Sequence, residues 1–158
     1  MSRNKKISPP VGFLFAGISA GIKKNQEKDL GLIYSLKPAN AVGVFTQNRF
    51  LASPVIISRE RLKKSRSRAR AILVNSGNAN CGLGERGIKD ALQISQKLEK
   101  ELGLKAEQIL LASTGVIGEP LPVKRICQVI PKLKDLLRED GFRAVSYTHL
   151  RAHETSLH

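Results

Sequence analysis

The chain has 158 residues, 41% hydrophobic and 25% charged, a balance that fits one soluble globular domain and excludes a disordered tail. Lys and Arg number 27 against 13 Asp and Glu, a formal charge of +14, so any polyanion is attracted in a salt-dependent way. Two cysteines, Cys81 and Cys127, give no metal-ligand spacing and no disulfide framework, which suits a reducing cytosol, and aromatics at 4% leave the core to aliphatic side chains.

Near the N-terminus Arg3, Lys5 and Lys6 precede the apolar run Val11 to Ile22. Pro9 and Pro10 separate the two, and Gly12, Gly17 and Gly21 interrupt the run. That pattern reads as a strand and turn rather than an export signal, and it is too short to span a bilayer. Asp29 to Ser35 and Ala41 to Thr46 read as a strand hairpin turned at Lys37-Pro38-Ala39-Asn40. Pro54 to Ile57 starts a third apolar run.

Arg59 to Arg70 then carries seven basic residues, Arg59, Arg61, Lys63, Lys64, Arg66, Arg68 and Arg70, against one acid, Glu60. It reads as a solvated helix end and loop between strands, because no aromatic is interleaved for base stacking. A basic nucleic-acid-binding module is the alternative it keeps open. Ala71 to Val74 is a short strand. Gly84 to Leu102 changes to a helical period, with Ile88, Ala91, Leu92, Leu98 and Leu102 on one face and Gly103 as the stop. Gln108 to Ala112 is another strand. Pro122 opens a second helix with Val123, Ile126, Cys127 and Ile130 inward, which Pro131 is expected to break or kink. The whole reads as an α+β, or layered α/β, domain.

Two turns built from small residues follow the short strands: Asn75-Ser76-Gly77-Asn78-Ala79-Asn80 and Ser113-Thr114-Gly115-Val116-Ile117-Gly118. Such turns bring backbone N–H groups and short polar side chains to a strand's end, where a substrate can meet them. Gly82-Leu83-Gly84-Glu85-Arg86-Gly87 matches G-x-G-x-x-G, but the seven residues Asn75 to Cys81 separate it from its strand, and no acid ends a second strand at the required distance. Dinucleotide binding is therefore set aside. Residues 1–143 contain no histidine, so Ser76, Ser113 and Cys81 have no imidazole to activate them. What the second turn offers is donors, the Thr114 hydroxyl and the Gly115 amide. Preorganised donors to a developing oxyanion are worth roughly 3 kcal/mol each.

From about Ala144 the pattern changes. His149, His153 and Glu154 have helical ligand spacing, yet all three histidines of the chain fall in this tail. Ser146 to Thr155 resembles a translated sequencing-adaptor peptide, so 144–158 is expected to be a foreign tail after a domain spanning 1–143, and no metal site is expected there.

Read together, Ala20-Gly21-Ile22-Lys23, Asp29 to Ile33, Ala41 to Asn48, Ala52-Ser53-Pro54-Val55, Ala71 to Asn80, Gly87 to Ala91 and Ser113 to Gly118 with Leu121-Pro122 resemble the ornithine acetyltransferase family of arginine biosynthesis, the bifunctional glutamate N-acetyltransferases. The match spans about Gly12 to Arg138.

The resemblance implies a helix-flanked two-sheet sandwich, made as a cytoplasmic precursor that cuts itself at a threonine. That threonine becomes the nucleophile and carries acetyl from N-acetylornithine to glutamate. Family members hold the oxyanion with the threonine and glycine that match Thr114 and Gly115. The nucleophile would lie some tens of residues beyond Arg138, so this chain resembles the first-chain portion only. The expectation is an incomplete site, inactive alone, whose second chain completes a heterotetramer. No cofactor, metal or membrane partner is expected. Whether acetyl-CoA also serves as donor stays open.

Overall fold

A computed structural model describes residues 8–150. Four strands, β1 (Phe13–Ile18), β2 (Leu30–Asn40), β3 (Arg68–Asn78) and β4 (Ile109–Val116), form one sheet in the order β1-β2-β3-β4. β1 and β2, and β2 and β3, pair antiparallel, whereas β3 and β4 are parallel. Four helices complete the mixed α+β fold: α1 (Ser53–Lys64), α2 (Glu85–Leu102), α3 (Val123–Asp135) and α4 (Phe142–Leu150). The second sheet that a sandwich would need is not among the described residues.

One sheet face carries Ala16, Leu30, Leu32, Ala71, Leu73 and Ile109, and packs against Ile94 and Leu98 of α2 and Ile126, Ile130 and Leu133 of α3. These side chains recur at the two-residue period of strands and the three-to-four-residue period of helices, so each element turns one stripe into this layer. On the other sheet face Phe15 and Val74 are buried as well, where Ala144 and Val145 of α4 pack over Gly17 and Gly31. α2 ends as its sequence dictates, Gly103 adopting φ +63° at the C-terminus. α3 continues through Pro131 to Asp135. Burial of Ile130 and Leu133 on both sides of the proline outweighs the one helix bond that a missing N–H removes.

The expected hairpin does not form. β2 runs on through Lys37-Pro38 to Asn40, and its partner is β3, with Ala39 opposite Ala69 and Asn40 opposite Arg68. Pro38 cannot donate to a ladder, and the register is irregular between Tyr34 and Ala39, where it sits. Ala41 to Thr46 is not a strand among the described residues. The third apolar run is α1, with its proline in the first turn, where no N–H is required.

The basic stretch is not simply solvated. α1 lies along the outer edge of β4, whose backbone groups would otherwise be open to another strand. The Ser58 hydroxyl donates to Leu111 O and accepts from Leu111 N, each at 2.8 Å. Two residues along that edge, buried Arg61 donates from Nη1 to Ile109 O at 2.9 Å and to Ser95 Oγ at 2.7 Å, with Nη2 3.4 Å from Glu99. Burial lowers the Arg61 pKa, opposed by the charges of Glu99 and Glu107. Arg70 is occupied as well, donating to Ser35 O, Leu36 O and the Tyr34 hydroxyl with its guanidinium 5.1 Å from the Tyr34 ring centre. Arg68 donates to Asn40.

Candidate active site

Both turn motifs begin inside strands: Asn75–Asn78 closes β3 and Ser113–Val116 closes β4. Because these strands are parallel, their C-terminal ends reach the same rim of the sheet. Asn75 stands opposite Ser113, and Gly77 opposite Gly115. The ladder is irregular there, since Thr114 faces both Ser76 and Asn78, the two-against-one count of a β-bulge that re-aims a side chain.

Glycine is required at the corner. Gly115 has φ +136°, and a Cβ on it would stand 2.4 Å from both Asn78 N and Gly77 C. The backbones of the two motifs therefore touch where only hydrogen fits.

Alternation along β4 separates the two hydroxyls. Ser113 shares its side with core-facing Leu111 and donates to Asn75 Oδ1 at 2.5 Å, beside a small, partly open cavity of about 20 Å³. Thr114 points the other way and is half-buried. Its hydroxyl makes no hydrogen bond with the described residues. Of the hydroxyls singled out, Ser76 is fully buried without a partner and Ser113 is engaged, which leaves Thr114 accessible. Cys81 is buried at the strand's exit.

An amide network holds the corner. Asn75 Nδ2 donates to Asn78 O at 2.8 Å, and Asn78 Nδ2 donates across to Glu119 O at 2.9 Å. Asn80 N donates to Asn78 Oδ1 at 2.7 Å. Ala79 N to Val116 O and Gly118 N to Cys81 O, both 2.8 Å, close the latch between the loops. Asn80 Nδ2 donates to Gly87 O of α2, and a Cβ on Gly87 would come within 2.6 Å of Ser53 Oγ. The G-x-G-x-x-G run thus turns the chain into α2 and lets it pack closely.

Asp29 is the organising residue that the motifs did not reveal. Fully buried, it accepts from Ala20 N at 2.6 Å, Ile22 N at 2.7 Å and Lys23 N at 2.9 Å. Those bonds fold 19–28 over the end of β3, so that Ile22 and Lys23 cover Gly77. The available signal was a lone carboxylate at the mouth of an apolar strand, which must be satisfied if it is buried.

Of the tail residues, the His149 side chain and all of His153 and Glu154 lie outside the described residues. α4 crosses the boundary expected at 143, with Val145 and Thr148 buried.

The ArgJ family model matches residues 14–158. Among curated relatives, the arginine biosynthesis bifunctional protein ArgJ of Caldanaerobacter subterraneus is 46% identical over 140 residues, covering 88% of this chain and 34% of the relative. The Synechocystis protein of the same name is 47% identical over 135 residues, covering 85% and 32%. The chain therefore spans about a third of the length of the curated relatives it matches. Among solved structures, arginine biosynthesis bifunctional protein ArgJ of Bacillus halodurans superimposes with a TM-score of 0.81 at 33% identity, over 87% of this chain and 71% of that one. Ornithine acetyltransferase of Mycobacterium tuberculosis, solved with ornithine, gives 0.83 at 30%, over 88% and 75%. Matching fold and matching sequence converge: the chain belongs to the ArgJ family.

Proposed function

We propose that this chain serves acetyl transfer from N-acetylornithine to glutamate, a reaction of arginine biosynthesis in the cytoplasm, by holding the oxyanion formed on the acetyl carbonyl. In this reading a threonine hydroxyl, on polypeptide beyond the matched third of the relatives, adds to that carbonyl. The Thr114 hydroxyl and Gly115 amide donate to the oxygen as it takes up charge. Collapse expels the ornithine amine, which takes a proton, and leaves an acetyl-threonine. The glutamate amine then attacks the ester through a second oxyanion at the same donors and regenerates the hydroxyl.

One observation carries the proposal: at the rim where β3 and β4 end, half-buried Thr114 keeps its hydroxyl without a hydrogen-bond partner among the described residues, while Ser113 is held on Asn75. The ornithine held by the Mycobacterium neighbour supports the substrate class. Self-cleavage of a precursor and a heterotetramer of two chain types belong to the same proposal.

The test compares this chain alone with the chain co-produced with the polypeptide that follows the matched portion in the Caldanaerobacter relative. Acetylglutamate is assayed from N-acetylornithine and glutamate. No turnover alone and turnover in the assembly are expected. Turnover by the chain alone would contradict the proposal, and so would an associated assembly that stays inert.

A further inference from the structure

Residues 41–46, Ala-Val-Gly-Val-Phe-Thr, have the composition of a strand, yet they pair with none. Ala41 N donates to Ser67 O, and after it Val42 to Thr46 make no backbone hydrogen bond with another described residue. The segment is nevertheless two-sided. Val42 and Val44 are 93% and 98% exposed. Phe45 is half-buried, and Gly43 sits so close to it and to Leu62 that a Cβ would stand 3.0 Å from Leu62 Cδ1. One side thus rests on α1, and the other presents alternate valines to solvent, the pattern of a half-covered strand whose cover is missing.

The exposed side continues into a larger apolar surface. Ala41 and Val42 border a concavity of about 280 Å³ whose floor includes Phe13, Ile33, Ile72 and Leu110. Those residues alternate with the core-facing ones, so this is the sheet face turned away from α2 and α3, beyond the part that α4 covers at Gly17 and Gly31. No charge falls within 41–46, whereas the chain as a whole carries +14. Two copies would repel, which disfavours a homodimer through this segment. The relatives supply another occupant, since the chain spans only 34% of the Caldanaerobacter protein.

We infer that residues 42–46 are an interface strand: an extended segment of the polypeptide that ArgJ relatives carry beyond the matched portion pairs with their backbone. Its apolar side chains cover Val42 and Val44 and enter the concavity over Ile33 and Ile72. Backbone pairing supplies the hydrogen bonds and the alternate valines set the register. The inference rests on family membership but not on the role of Thr114.

Co-production with the Caldanaerobacter polypeptide, carrying an affinity tag, tests it by association rather than catalysis. The chain is expected to co-purify, and amide exchange over 42–46 to slow about tenfold or more relative to the free chain. The double variant Val42→Lys, Val44→Lys is expected to lose co-purification while melting at the wild-type temperature, because both side chains are already in water. Absence of a complex, unchanged exchange over 42–46 within one, or full retention of the double variant would overturn the inference. Protection of 42–46 in the chain alone at high concentration would overturn it in favour of a second copy. A complex that forms as expected but transfers no acetyl group would leave this inference standing and remove the proposed function.

Discussion

Gly115 and Thr114 do different work at one corner. Gly115 is needed for its backbone, and Gly115→Ala would drive a Cβ to 2.4 Å from two backbone atoms of β3 at φ +136°. A cost of about 3 kcal/mol or more is expected, read as a lower denaturation midpoint. Thr114→Ala, on a half-exposed side chain without a partner, is expected to change stability by less than about 0.5 kcal/mol. Cys127 makes a pH prediction. Burial raises its thiol above the ordinary 9.0, so the unfolded chain ionises first. The associated stability is intact below that value and is lost as pH climbs through the raised one. Cys127→Ala should flatten that alkaline limb in melts across pH; identical limbs in both proteins would contradict the shift. The two turns at the ends of β3 and β4 were legible in the sequence because small polar residues cluster there, while the donor role of Thr114 and Gly115 remains a proposal. Asp29 and Arg61 were not, because their partners lie in loops and strands up to 48 residues away.

At the scale of elements, the strands and helices of the core were readable from period alone, and the misreadings fall where tertiary context decides. Ala41 to Thr46 has strand propensity without a neighbour. Pro54 to Ile57 reads only as the start of a third apolar run, yet the preset φ of Pro54 opens α1. Arg61 counts as surface charge until α1 is laid along β4. Replacing it tests that placement: Arg61→Ala would leave Ile109 O and Ser95 short of a donor on a buried edge, at an expected cost of about 2–3 kcal/mol. A change under about 0.5 kcal/mol would mean that the edge is not sealed in this way. The division at 143 remains a proposal. α4 adds buried Val145 on the opposite sheet face but no residue to the main core cluster, whose last member is Leu133 with Leu137 packed against it, so a chain ending at 143 is expected to keep a cooperative melt. Loss of that melt would make α4 part of the fold.

For the whole molecule, charge and surface point to different partners. Three of the seven basic residues between 59 and 70 are spent on the fold, Arg61, Arg68 and Arg70, which leaves Arg59, Lys63, Lys64 and Arg66 for a polyanion. Retention of RNA on filters at about 50 mM salt should therefore vanish by about 200 mM; retention that persists would favour a nucleic-acid role. In the two proposals the apolar sheet face takes the protein partner and the rim at Thr114 the substrate. The most direct measurement is acetyl transfer by the co-produced assembly carrying Thr114→Ala beside one carrying Ser113→Ala. With association confirmed for both, a fall in kcat of about 10²-fold or more for Thr114→Ala and a much smaller change for Ser113→Ala is the expected result. An unchanged rate for Thr114→Ala would contradict the account.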